Sequence, residues 1–144
     1  MVEKISVYLA GPLFSRSEID GAGYLKREIE AALGDRVEVV WPFETASGTT
    51  EEIFRANLSA LERSPLMVAI LDGAQVDDGT AWEVGYHCAL FGRRAIGIRT
   101  DIRKAGEASE SIVNLMIELS CRAVVKDVPG LLAELERALD EMVI

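Results

Sequence analysis

Six consecutive apolar residues, Leu66-Met-Val-Ala-Ile-Leu71, constrain this chain more than any other stretch. A strand with one wet face alternates apolar and polar residues, whereas an unbroken apolar run needs cover on both faces. Four more stretches read as strands: Lys4–Leu9, Val37–Trp41, Arg94–Arg99 and Arg122–Lys126. Between them lie segments of helical character that can supply the cover. The first spans Ser17–Leu33, with Ser15 or Ser17 as cap and Gly34 as stop signal, and is weakened by Gly21 and Gly23. The second begins at Thr49 or Thr50, carries Glu51 and Glu52 in its first turn and ends before Pro65. Its Ile53, Phe54, Asn57, Leu58 and Leu61 share one face. Thr80–Phe91, closed by Gly92, Ser111–Leu119 and Val128–Met142 read as the remaining helices. The polar stretch Thr100–Ser109 reads as a mobile loop.

Strand and helix thus alternate five times, which implies a parallel sheet with right-handed crossovers and helices on both faces. The expected fold is a flavodoxin-like (Rossmann-like) three-layer α/β sandwich, with a five-stranded parallel sheet in the order 2-1-3-4-5. With 144 residues, a single domain over 1–144 suffices. Its topological switch point lies between the first and third strands, so the loops after Leu9 and Leu71 should flank one crevice.

The third strand breaks at Asp72 and Gly73 into an acidic loop, and a helix restarts at Thr80. Asp72, Asp77, Asp78 and Glu83 therefore gather at the sheet edge where α/β proteins bind ligands. Each has a plain structural reading. Asp72 can end its strand, and Asp77 and Asp78 suit a loop before Gly79. Thr80-Ala-Trp-Glu83 fits a capping box, with Thr80 as N-cap and Glu83 reaching back. The functional reading of Glu83 is a carboxylate held ionised by the helix dipole and able to attack a sugar carbon.

Other candidates are weaker alone. Tyr8 is a core-edge tyrosine whose hydroxyl can reach Glu83 if the two loops share a crevice. Gly11 belongs to neither a GxGxxG nor a GxxxxGK[ST] pattern. Trp41 and Phe43 flank Pro42 and fit a core or a planar ligand, and Asn57 stands out on an otherwise apolar helix face. The single histidine, His87, reads as packing. Cys88 and Cys121 have no CxxC spacing, so neither a metal site nor a disulfide framework is expected. A net charge of -9 argues against nucleic acid or an anionic membrane as partner. No apolar run spans a bilayer, and Met1-Val-Glu-Lys4 does not look like a signal peptide, so a cytoplasmic protein is expected.

Three motifs in order, Tyr8-Leu-Ala-Gly-Pro-Leu-Phe-Ser15, Asp77-Asp-Gly-Thr-Ala-Trp-Glu-Val-Gly-Tyr86 and Asn114-Leu-Met116, resemble the nucleoside 2-deoxyribosyltransferase family. The resemblance implies that Glu83 attacks C1′ of a 2′-deoxynucleoside and forms a covalent deoxyribosyl-enzyme. A second base or water then takes the sugar with net retention. Tyr8 would orient Glu83, and Asp77 would hold the sugar hydroxyls. Gly11, Phe14, Phe43, Glu44, Asn57, Asp78, Gly79, Asn114 and Met116 would surround the substrate, with Asn114 donated across a homodimer or an assembly of dimers. The partners implied are small molecules, 2′-deoxynucleosides and nucleobases, with no cofactor and no metal.

Two positions depart from the family pattern. Asn57 stands where an aspartate is common, and an amide cannot protonate a leaving base. Ala46, two residues beyond Glu44, stands where the best-known members carry glutamine. A sister group that hydrolyses deoxynucleoside 5′-monophosphates has serines at the positions of Asp77 and Asn114. Those two residues favour free nucleosides, while Ser15, Arg16 and Ser17 suit a phosphate. A non-catalytic nucleotide-binding or sensor protein on the same fold is the reading of a different class.

Overall fold

The computed structural model describes residues 2–142; Met1, Val143 and Ile144 lie outside the described residues. Five strands, β1 (Ile5–Ala10), β2 (Val37–Val40), β3 (Leu66–Ile70), β4 (Ala95–Ile98) and β5 (Cys121–Val125), form one sheet in the order β2-β1-β3-β4-β5. All four pairings are parallel, as the βα alternation requires. The central strands β1 and β3 are buried almost throughout.

The alternation of side chains along each strand divides the core in two. Val7, Leu9, Val68 and Ile96 face α1 (Arg16–Leu33) and α6 (Val128–Met142). Tyr8, Ala10, Met67, Ala69 and Leu71 face the opposite layer, which contains α3 (Thr50–Arg63) and α4 (Asp78–Phe91). This alternation decides the fate of Tyr8. One residue earlier or later, its ring would point toward α1 and away from α4.

Local sequence sets the helix starts. Ser15 caps α1 in a capping box with Glu18, and Thr49 caps α3 in one with Glu52. Each such cap is worth about 1 kcal/mol. The expected capping box at Thr80 and Glu83 does not form. Helix α4 begins three residues earlier, with Asp77 as its N-cap, and Thr80 N and Oγ1 each donate to Asp77 Oδ2 at 3.0 Å. A carboxylate is a stronger acceptor than a threonine hydroxyl, so it takes the exposed N–H groups first.

Two further elements differ from the expectation. A short helix, α2 (Pro42–Thr45), follows β2 directly, because Pro42 at its first position is already preset for helical geometry. The helix expected over Ser111–Leu119 is only α5 (Leu115–Glu118), capped by Asn114, whose Oδ1 accepts from Met116 N at 2.9 Å. The loop after β4 is fastened to β3 at its start. Asp72 accepts from the N–H groups of Thr100 and Asp101, and the buried Arg99 guanidinium donates to the carbonyls of Leu71 and Arg103. Among the described residues no helix is long and apolar enough to cross a membrane.

Candidate active site

Glu83 lies in the second turn of α4, and its carboxylate meets the end of β1. The Tyr8 hydroxyl donates to Glu83 Oε2. The ring of Tyr8 is fully buried beneath α4, so the donor comes from the rigid sheet. Burial first, and then the negative charge of Glu83, push the Tyr8 hydroxyl far above its ordinary pKa. Tyr8 therefore stays a hydrogen-bond donor at every accessible pH.

Glu83 departs from the dipole-held carboxylate read from the sequence. Its pKa is pushed up to about 7, mainly by burial; the Tyr8 hydrogen bond lowers it and the negative charge of Asp77 raises it. The earlier start of α4 moves Glu83 beyond the first turn, where the dipole effect fades. Desolvation then wins. A carboxyl that changes charge near neutrality is what an acid–base or nucleophilic centre requires.

Glu83 opens into a cavity of about 390 Å³ between α3 and α4, lined by Phe54, Asn57, Leu58, Leu61, Gly79, Trp82 and Glu83. Asn57 and Gly79 are thus brought to Glu83. Asp77 reaches it electrostatically, and with Oδ2 fixed by Thr80, its Oδ1 has no protein donor among the described residues. Asp78 is exposed beside them and caps Gly79 N at 2.7 Å.

The other candidates stand apart from this cavity. Gly11 packs on β3, where an added Cβ would lie 3.1 Å from Ile70 Cβ, so the β1–α1 loop requires glycine for close approach. Phe14 and Phe43 are exposed, with Phe43 tilted against the buried Trp41 at 4.8 Å. Glu44 pairs with Lys26 at 2.9 Å. Asn114 and Met116 are exposed on α5, and Asn114 Nδ2 lies 3.4 Å from Glu107 Oε2. Asp72 belongs to the other face of the sheet, bound to Thr100 and Asp101, and is not part of the Glu83 constellation.

Phe54, Leu58, Leu61 and Trp82 line the cavity but are not site candidates in the sequence, where the first three read only as an apolar helix face. Trp82 is the largest of them. It stacks on Tyr86 at 5.1 Å and meets Phe54 at a tilt of 60° and 6.4 Å. The spacing Gly79, Trp82, Glu83, Tyr86 is a helical stripe and was the available signal. His87, one turn beyond Glu83, is buried and held below its ordinary pKa by desolvation. Its Nε2 bonds the Ser64 carbonyl at 2.9 Å, which makes Nε2 the protonated nitrogen. Cys121 is pushed up to about 11 by burial, which disarms it as a nucleophile. Among the described residues no three His, Cys, Asp or Glu side chains group to hold a metal ion.

Comparison with known proteins identifies the family and the fold. The sequence profile of the nucleoside 2-deoxyribosyltransferases matches residues 7–116, which include all three motifs. Among solved structures, a conserved protein from Enterococcus faecalis V583 is 27% identical, with a TM-score of 0.75 over 94% of this chain and 99% of that one. A 2-deoxyribosyltransferase from Bacillus psychrosaccharolyticus is 24% identical, with a TM-score of 0.70 over 88% and 90% of the two chains. One from Leishmania mexicana is 18% identical, with a TM-score of 0.73 over 96% and 99%. At those last two identities the likeness concerns the fold. No curated protein sequence matches significantly.

Proposed function

This chain belongs to the nucleoside 2-deoxyribosyltransferase family, and from that premise we propose that it moves a 2-deoxyribosyl group between nucleobases through a covalent bond to Glu83. The observation that carries the proposal is the buried Tyr8–Glu83 hydrogen bond at the wall of a cavity. A Glu83 oxygen attacks C1′, the N-glycosidic bond breaks, and its electron pair leaves with the base. Water supplies the proton, since Asn57 has none to give. A nitrogen of the incoming base, or water, then attacks C1′ from the vacated side and loses its proton to solvent water, the C1′–Glu83 bond breaks, and the carboxylate is freed with net retention.

Each neighbour has a role in that scheme. Tyr8 fixes one carboxylate oxygen and leaves the other for attack. Asp77, anchored through Oδ2, offers Oδ1 to a sugar hydroxyl. Trp82 and Phe54 give the cavity an apolar aromatic wall against which planar bases pack. Asn114 is exposed and does not line the cavity at Glu83 in its own chain, which suits donation to a second copy. The half-exposed Phe54 and Trp82 offer such a copy an apolar surface.

Hydrolysis of 5′-monophosphates has less support. Arg16, the phosphate candidate, is 93% exposed and pairs with Asp20 at 3.3 Å. A purely binding protein has no use for a carboxyl with its pKa pushed up to about 7 beside a cavity of about 390 Å³. The test is purified protein with deoxyinosine, with and without free adenine, followed by chromatography. Deoxyadenosine should form when adenine is present, with slower release of hypoxanthine when it is absent. No release of base from any deoxynucleoside would assign the chain to the binding class.

A further inference from the structure

A second cavity, of about 450 Å³, lies on the opposite face of the sheet from Glu83. It fills the gap between the first half of α1 and the start of α6, above the ends of β3 and β4. Its volume falls within the range of small-molecule sites. The floor is aliphatic: Leu25, Ile70, Ile98 and Val128. The rim is acidic. Asp72 accepts three hydrogen bonds, all from neutral donors on Thr100 and Asp101, and has no cationic partner among the described residues. Glu18 likewise accepts only from the N–H groups of Phe14 and Ser15. Asp101 is neutralised by Arg103 at 2.6 Å, and buried Arg99 is engaged by carbonyls and does not line the cavity. Asp72 and Glu18, neither in an ion pair among the described residues, and half-exposed Tyr24 therefore line the cavity over an apolar floor, with Arg103 also lining it but paired to Asp101.

Gly21 stands at the mouth of this cavity. A glycine inside a helix costs about 0.5–1 kcal/mol against alanine. A Cβ on Gly23 would make ordinary contact with Trp41 at 3.4 Å, whereas a Cβ on Gly21 meets nothing within 4 Å. Gly21 lines the cavity, and a larger side chain there has open space to enter.

We propose that this cavity is a second ligand site, selective for a small amphipathic organic cation. An aromatic or aliphatic body rests on Ile70, Ile98, Leu25 and Val128. An ammonium group lies toward Asp72 and Glu18, with the face of Tyr24 as a further contact. The site does not depend on the chemistry at Glu83.

The test titrates the protein with 2-phenylethylamine at neutral pH and follows isotope-labelled methyl groups by NMR. Saturable shifts should appear at Ile70, Ile98, Leu25 and Val128. 3-Phenylpropanoate, of similar shape and opposite charge, should bind at least about tenfold more weakly, the equivalent of one lost charge interaction. Gly21→Leu should fold, since leucine favours the helix, and should abolish the shifts. Asp72→Asn, which keeps the hydrogen-bonding shape, should weaken the amine about tenfold and leave neutral 2-phenylethanol unaffected. Shifts that never saturate, shifts confined to the Glu83 side, equal binding of amine and carboxylate, or wild-type binding by Gly21→Leu would each overturn the proposal.

Discussion

Tyr8 and Glu83 stand 75 positions apart in the chain, yet the Tyr8 hydroxyl donates to Glu83 Oε2 across the junction of β1 and α4. That bond opposes burial, because it favours the charged carboxylate that burial disfavours. Tyr8→Phe removes the opposing effect and nothing else in the core. The acidic limb of the rate profile should then move to higher pH, and kcat should fall about 100-fold, the lower end of the usual loss for a single oriented donor. A variant with an unshifted limb and full kcat would reduce Tyr8 to a packing residue.

The wild-type pH dependence follows from Glu83 alone. As a nucleophile it must be ionised, so the rate should rise through a pH of about 7 and then level off. Stability should run the other way. The folded pKa of about 7 lies above the ordinary 4.5 of the unfolded chain. The contribution is therefore complete below about 4.5 and is lost as pH climbs to about 7, at most about 3 kcal/mol. Glu83→Gln removes that loss. The variant should be inactive and, above neutrality, more stable than the wild type by chemical denaturation. An inactive variant that is instead less stable at high pH would mean that the ionised carboxylate is well solvated.

The arrangement of the sheet was legible because each strand announced its own burial. The continuous run at Leu66–Leu71 and the βα rhythm leave few topologies open. The meeting of Tyr8 with Glu83 followed from the switch point, since the two loops had to share a crevice. The start of α4 was not legible. Asp77, Asp78 and Thr80 all compete as caps in sequence, and only the three-dimensional path of the loop lets Asp77 reach Thr80 N. That shift changed the electrostatics of Glu83 from dipole-held to burial-dominated. Trp82 escaped because an apolar residue on a central helix reads as core, whereas here it is half exposed at the cavity. Asp72 was grouped with the wrong carboxylates, because sequence proximity does not tell which face of the sheet a strand-end residue takes.

The sugar itself should be discriminated. A ribonucleoside carries a 2′-hydroxyl next to the carbon that Glu83 attacks, where the Tyr8 ring leaves the carboxylate little room. That hydroxyl has to be desolvated without an assured partner. Adenosine should therefore fall below deoxyadenosine in kcat/KM by about 10–100-fold. Equal values for the two would place the attacking oxygen away from the 2′ edge.

Free deoxynucleosides should be preferred over their 5′-monophosphates. Asp77 is the determinant, because its free Oδ1 faces no protein donor and its negative charge is felt at Glu83. A phosphate dianion drawn to the same place meets like charge, with a repulsion on the order of a few kcal/mol at an effective dielectric near 20. Arg16 does little to offset this while it pairs with Asp20 at the surface. The decisive substitution is Asp77→Ser, since serine also caps a helix and leaves the start of α4 in place. kcat/KM is to be measured for deoxyguanosine and its monophosphate with both proteins. The wild type should favour the nucleoside, and the variant should shift toward the nucleotide while melting within about 1 kcal/mol of the wild type. Asp77→Ala is the control, losing both the charge and the cap, and its lower stability separates the two roles of this side chain. A wild type that prefers the monophosphate would mean that Asp77 holds the sugar away from its 5′ end.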